Sequence, residues 1–300
     1  RQHPPRFWPR RPLIMGILNV TPDSFSDGGA RGHWQDAVSA GLQMARDGAD
    51  LLDIGGESTR PGARPVPAEQ EIARIEPVIR VLAQEKVLPL SVDTRKAAVA
   101  AAALDAGAHW INDVSGLGDP EMALLVAERG AGLILMHMQG EPATMQENPR
   151  YDDVVAEVCA FLQERAQRAE AAGVDRERIW LDPGIGFGKT LYHNLQLFAG
   201  LDRIAALGYP VVLGASRKGF IGALSGAPAH ERVPGSLAAA GLCLALRRSV
   251  VRVHDVAATR QYLTLRRALQ TGAPLPWEPS GLDREEAPLP RSGPDAGEVR

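Results

Sequence analysis

Residues 181–190 read Leu-Asp-Pro-Gly-Ile-Gly-Phe-Gly-Lys-Thr (LDPGIGFGKT). The stretch looks like a phosphate loop but does not meet its spacing. A P-loop needs Gly, four residues, then Gly-Lys-Ser/Thr; Gly188, Lys189 and Thr190 fit, but Pro183 stands at the first glycine position. The dinucleotide pattern G-x-G-x-x-G fails at its third glycine, where Lys189 stands. What remains is a short apolar run, Ile179 to Leu181, closed by Asp182, a proline and three glycines. That order suits a buried strand ending at a site: the turn lets the backbone approach a flat ligand, and the carboxylate accepts its hydrogen bonds. The alternative is an aspartate that caps the next helix.

The rest of the chain repeats this unit. Strands are predicted at Leu13–Leu18, Ala49–Ile54, Leu88–Val92, Trp110–Ile111, Gly132–Met136, Ile179–Leu181, Pro210–Leu213 and Val250–Val253. Each is followed by a stretch with helical spacing: Trp34–Gly48, Ala68–Gln84, Arg95–Ala106, Glu121–Arg129, Asp152–Ala172, Leu191–Leu207, Val233–Leu246 and Val256–Leu269. Short, continuously apolar strands imply burial on both faces and a parallel sheet. Eight such units in about 250 residues predict an α/β fold of the (β/α)8 TIM-barrel type. A doubly wound sheet, the other arrangement of alternating units, usually has fewer strands and one dominant glycine-rich turn. One barrel domain is expected over 13–271, with a basic, Pro-rich, loosely docked arm at 1–12 and a Pro/Gly-rich tail at 272–300.

Composition narrows the function classes. An apolar content of 45% supports a large core. A net charge of -3 and 5% aromatic residues give no surface for nucleic acid. No apolar run is long enough to span a membrane, and the N-terminal RQHPPRFWPRRP lacks the apolar core of a secretory signal. Cys159 and Cys243 fall in predicted helices and read as buried thiols of a reducing compartment. A cytoplasmic location is expected.

In a barrel the active site is built at the C-terminal ends of the strands. Polar residues collect there: Asn19, Asp93, Asn112, Asp182, Lys218 and the pair Arg252 and His254. The long loops after the first two strands, with Gly28, Gly29, Gly55, Gly56 and Gly62, lie on the same side and read as mobile loops or as ordinary turns. Asp93, Asn112 and Asp182 together offer acceptors and one amide, a set for a neutral heterocycle with amino and ring N–H groups. Arg252 and His254, at i and i+2 of one strand, face the same way and form an anion clamp, remote in sequence from the ring set; the alternative is a salt-bridge partner and a satisfied histidine. Asp255 is a candidate cap for the last helix, and Asp53 and Asp113 for bracing loops. Lys218, beside Ser216 and Arg217, suits an anion or the face of a ring, although a lone lysine is commonly solvated surface.

The segments ILNVTPDSFSDGG (17–29) and DIGGESTRPGA (53–63), followed in order by SVDT, IND, LMHMQG, DPGIGFGK, SRKGFIG and RVHDV, resemble the dihydropteroate synthase family over about Leu13 to Leu269. The resemblance implies a TIM barrel that joins 6-hydroxymethyl-7,8-dihydropterin pyrophosphate to p-aminobenzoate and releases pyrophosphate. It implies Mg2+ as cofactor, a homodimer, and a sulfonamide target. It implies that Asp93, Asn112 and Asp182 hold the pterin, with Met136 beside it and Lys218 against it. Gly214 lies in the substrate pocket, and Ser216 sits next to the p-aminobenzoate carboxylate. Thr59, Arg60 and Pro61 lie on the second loop, and Phe187 walls the p-aminobenzoate pocket. Arg252, His254 and Asn19 hold the pyrophosphate, Asn19 also serving the Mg2+. Lys218, Arg252, His254, Asp93 and Asp182 are the implied catalytic set. Two other functions fit the fold: a pterin-binding module that delivers a methyl group to a corrinoid partner, and a non-catalytic paralogue. Both would lack clamp or loop residues that this chain carries.

Overall fold

A computed structural model describes residues 8–21, 33–58, 62–63, 65–280 and 282. The start of the arm (1–7), most of the first loop (22–32), Thr59, Arg60 and Pro61 of the second loop, and most of the tail lie outside the described residues.

Among the described residues, eight strands pair in chain order, all parallel, and close into a barrel. They are β1 (Leu13–Asn19), β2 (Leu51–Gly55), β3 (Leu90–Asp93), β4 (Trp110–Asp113), β5 (Gly132–Met136), β6 (Ile179–Asp182), β7 (Val211–Leu213) and β8 (Ser249–Val253). The helices are α1 (His33–Asp47), α2 (Ala68–Gln84), α3 (Ala97–Ala106), α4 (Met122–Arg129), α5 (Val154–Ala171), α6 (Leu191–Ala199), α7 (Leu201–Ala205), α8 (Gly219–Ser225), α9 (Val233–Gly241) and α10 (Val256–Thr271). The architecture is the expected (β/α)8 barrel. The strands are buried along almost their whole length because the helices cover the outer face while side chains fill the inside.

Two helical expectations are corrected. The stretch read as one helix, Leu191–Leu207, is two: Gly200 separates α6 from α7, and it packs so tightly that a Cβ there would lie 2.8 Å from Val155. The glycine-bearing segment after β7 forms α8, with a tilted Phe198–Phe220 contact at 5.0 Å to α6. The helix expected over Val233–Leu246 stops at Gly241 and tightens into a 3-10 turn, Leu242–Ala245.

Strand parity divides the inside into an apolar floor and a polar rim. The floor comprises Leu13, Met15, Leu51, Trp110, Ile134, Trp180, Val212 and Val250. Trp110 and Trp180 stack at 3.9 Å, and Trp8 meets Trp180 edge-on at 5.6 Å. Gly132 makes this possible, since a Cβ there would lie 2.1 Å from the Trp110 ring.

Packing extends past both ends of the predicted barrel span. Arg11 is buried and bidentate to Asp50, at 2.6 and 2.7 Å. Asp50 also accepts from the Ile14 amide at 2.8 Å. The Arg11 guanidinium donates to the Glu278 carbonyl and lies 4.0 Å over the Trp277 ring, while the Arg10 amide reaches the Glu278 carboxylate. The described parts of arm and tail are thus clasped together beneath the barrel.

Candidate active site

Two residues further along the same inward-facing rows, the floor gives way to polar groups. The register places Asn19 beside Gly55, Gly55 beside Asp93, and Asp93 beside Asn112; on the opposite wall Met136 lies beside Asp182. The expected ring set is therefore assembled: Asp93, Asn112 and Asp182 are all buried at the mouth of one barrel, with Met136 3% exposed next to them. Gly214 continues β7. A Cβ on it would lie 3.7 Å from Asp182 Oδ2, 3.7 Å from Lys218 Nζ and 4.0 Å from Arg252 Cδ, so these three side chains converge on its bare backbone.

Asp182 does not cap the following helix. Thr190 does, in a capping box with His193. Asp182 Oδ1 instead accepts from the Gly184 amide at 2.7 Å. Asp255 begins α10 without a side-chain cap; its carboxylate is held by Arg217. Asp113 braces a loop as expected, accepting from Ser115 and from the Leu117 amide.

Arg252 corrects the idea of a clamp separate from the ring set. Its Nε donates to Asp53 Oδ2 at 2.6 Å and its terminal nitrogen to Asp93 Oδ2 at 2.8 Å. Asn112 Nδ2 donates to the same Asp53 oxygen at 3.0 Å. Asp53, considered from sequence only as a brace, is thus the buried hinge between Arg252 and the ring set. A signal was present: Leu51, Asp53 and Gly55 share one parity, so a strand with Leu51 inside also turns Asp53 inside. His254 Nδ1 lies 3.0 Å from Ser216 Oγ, so the pair expected at neighbouring subsites is in contact.

The electrostatics follow from burial. Desolvation raises Asp93 to about 7, with Arg252 opposing and Asp53 adding to the rise. Asp182 is also raised by burial, against the pull of Lys218 and the Gly184 amide. Burial lowers Lys218 to about 8, while Asp182 favours its charge. Burial works against the Arg252 charge as well, but Asp53 and Asp93 outweigh it and its pKa is raised. Asp93 Oδ1 and Asp53 Oδ1 are buried without a hydrogen-bond partner among the described residues. Buried acceptors left unpaired in this way mark a place for donors from a ligand.

Lys218 Nζ donates to the Ile185 carbonyl and lies 4.6 Å over the ring of half-buried Phe187. The stem of the second loop is tied down: Glu57 accepts from the Val66 amide at 3.2 Å and pairs with Lys96 and Arg95. Thr59, Arg60 and Pro61 between these anchors lie outside the described residues. Among the described residues no group of three or more His, Cys, Asp or Glu could hold a metal. Half-buried Asn19 offers one amide oxygen at the rim, 3.8 Å from the position of a Cβ on Gly55.

A barrel with a buried carboxylate–amide set at its mouth belongs to a known class: residues 15–254 match the model for pterin binding enzymes, and the chain belongs to that family. Within it, the chain is 47% identical to Escherichia coli dihydropteroate synthase over 248 residues, 83% of this chain and 88% of that one. Among solved structures it is similar to Xanthomonas albilineans dihydropteroate synthase with 4-aminobenzoic acid (51% identity, TM-score 0.82, 89% of this chain and 94% of that one). The same enzyme in complex with 7,8-dihydropteroate matches at 48% identity and TM-score 0.79, over 89% of this chain and 95% of that one.

Proposed function

We infer that the protein is an enzyme with dihydropteroate synthase activity. It condenses 6-hydroxymethyl-7,8-dihydropterin pyrophosphate with p-aminobenzoate to give 7,8-dihydropteroate and pyrophosphate. The observation that carries this reading is the inward polar set at the barrel mouth, with Asp93 Oδ1 unpaired beside Asn112 and opposite Asp182. A pterin supplies ring N–H and amino donors to these acceptors. Met136 packs against its face, and bare Gly214 leaves room for it.

The reaction breaks the C–O bond to pyrophosphate. The aromatic amine then forms the C–N bond and sheds one proton. Arg252 and His254 take the charge of the leaving group, and Ser216 orients His254 through their hydrogen bond. Lys218 lies against the ring beside Asp182, and Phe187 beneath it walls the p-aminobenzoate side. Asn19 fits the Mg2+ that the family implies: a single neutral oxygen, with no all-protein cage among the described residues, suits an ion that keeps its waters and is bound with substrate phosphates. When bound, it offsets pyrophosphate charge. No nucleophilic side chain is required, so the chemistry rests on binding, orientation and exclusion of water.

The enzyme works as a homodimer in this reading. Leu191, Tyr192 and Leu195 on α6 and Leu224 on adjoining α8 expose large apolar side chains, Tyr192 to 68% and Leu224 to 59%. Such a patch suits a second copy. Among the described residues no helix is long and apolar enough to cross a membrane, and the two thiols are free, which supports the cytoplasmic reading. The test is direct. Purified protein with both substrates and Mg2+ releases dihydropteroate and pyrophosphate one to one; pyrophosphate release without carbon–nitrogen bond formation would refute it.

A further inference from the structure

The glycine-rich turn after β6 encloses a cation of its own. Lys189 is 3% exposed. Its Nζ lies 2.9 Å from His137 Nδ1, 2.9 Å from the Phe187 carbonyl and 3.3 Å from the His137 carbonyl. Three acceptors around one nitrogen match the three N–H bonds of an ammonium; a neutral amine has only two. Burial drives His137 down to about 3, with Lys189 adding to the effect, so the imidazole is neutral, and in the tautomer protonated at Nε2 its Nδ1 accepts from Lys189. Burial also lowers Lys189, to about 7, while Asp182 favours its charge and Lys218 opposes it.

This ammonium binds two loops together. His137 follows β5 and Phe187 follows β6. The backbones are pressed so closely that a Cβ on Gly184 would lie 1.8 Å from the His137 carbonyl oxygen, and one on Gly188 2.3 Å from that of Gln139. Both glycines also hold positive φ, 69° and 60°, which side chains resist. Tyr151 closes the block from outside, its hydroxyl donating to the Gly188 carbonyl at 2.8 Å. Without Lys189, the carbonyls of His137 and Phe187 would lose the donor they share. The Phe187 carbonyl is one end of the residue whose ring lies under Lys218.

We propose that Lys189 is a positioning residue for the p-aminobenzoate side of the site: it fixes the turn 184–188, and with it the Phe187 ring, by cross-linking the β5 and β6 loops. The proposal rests on the function inferred above and on the place of Phe187 in it. Lys189 touches no substrate. It explains why a sequence so close to a phosphate loop ends in lysine: here the lysine turns inward onto carbonyls, where a P-loop lysine turns outward onto phosphate.

Lys189→Met removes the donors, and Lys189→Gln restores two N–H bonds without the charge. The expected result is a rise of about tenfold or more in KM for p-aminobenzoate with Met, and a smaller rise with Gln. The Kd of a plain pterin, read by calorimetry, stays within about twofold of wild type. Hydrogen exchange at the amides of 184–188 quickens in both variants, a readout independent of turnover. If Lys189→Met does not fold, Lys189→Gln carries the comparison, and His137→Leu, which removes the Nδ1 acceptor and the ring contacts to Tyr151 and Phe161 but keeps the His137 carbonyl, gives a weaker change in the same direction. An unchanged KM for p-aminobenzoate in a folded variant would overturn the proposal. So would a parallel loss of pterin binding and turnover, the mark of general destabilisation. Wild-type protein that forms no dihydropteroate would instead overturn the function itself.

Discussion

Replacing Arg252 with alanine tests whether leaving-group clamp and ring pocket are one unit. The guanidinium makes two charge-assisted hydrogen bonds, at 2.6 Å to Asp53 and 2.8 Å to Asp93. The Asp53 side chain is 0% exposed and that of Asp93 8%. Removing the cation leaves two buried carboxylates facing each other, which costs roughly 3–5 kcal/mol if both stay ionised. The protein has a cheaper response. Asp93 is already raised to about 7 by burial, and Arg252 is the group that holds it down, so its loss raises Asp93 further. At pH 7.5 the variant's Asp93 is then mostly protonated, and an acceptor for the ring is lost. One hydrogen bond to a charged group is worth about 1.5–3 kcal/mol, so a plain pterin weakens roughly ten- to a hundredfold, and the pyrophosphate ester weakens more. Raising the pH to 9 restores part of the plain-pterin affinity by ionising Asp93. Thermal stability moves the other way. A buried acid with a raised pKa destabilises the fold as pH rises through it, so the loss in Tm is small at pH 5 and large above pH 7. Calorimetry with both ligands at pH 6.5, 7.5 and 9 reads the binding. Plain-pterin affinity identical to wild type at all three would show that Arg252 acts on phosphate alone.

Asp182→Asn removes an acceptor whose partner on the ligand is then buried unpaired, at about 1–3 kcal/mol per donor; kcat/KM for the pterin substrate falls roughly ten- to a hundredfold in a protein that still melts cooperatively. The pH profile of kcat/KM is bell-shaped. It falls below about 7 as Asp93 takes up a proton and on the basic side as Lys189, at about 7, and Lys218, at about 8, lose theirs, and Asp93→Asn abolishes the acid limb. A flat profile between pH 6 and 9 would contradict it. Beneath the barrel, Arg11→Met leaves Asp50 buried and uncompensated and lowers stability by about 3–5 kcal/mol in urea unfolding, with KM for both substrates unchanged.

The fold was legible because its units are local. Strands such as Gly132–Met136, buried on both faces, and helices with 3.6-residue spacing announce themselves one at a time, and eight in alternation leave few arrangements open. Asp93, Asn112 and Asp182 were legible for the same reason, since a polar residue closing an apolar run in a barrel stands at the active face. What escaped depends on contacts across the barrel. Nothing local to Arg252 says that it turns to Asp53, 199 residues away, or that this joins clamp and ring pocket. The clasp on Asp50 is hidden because Arg11 and Glu278 come from segments that read as arm and tail. Lys189 looked like the end of a failed P-loop because its partners, the carbonyls of His137 and Phe187, are backbone groups that no residue type reveals.

A crystal structure of the protein with a non-hydrolysable analogue of the pterin pyrophosphate tests the central claim most directly. The expected result is the pterin ring at the barrel mouth, its N–H donors within hydrogen-bond distance of Asp93 and Asp182, the Asn112 amide at its edge and its phosphates toward Arg252 and His254. A ring bound elsewhere, or phosphates seated on the Gly184–Thr190 turn with the ring away from Asp93 and Asp182, would contradict it.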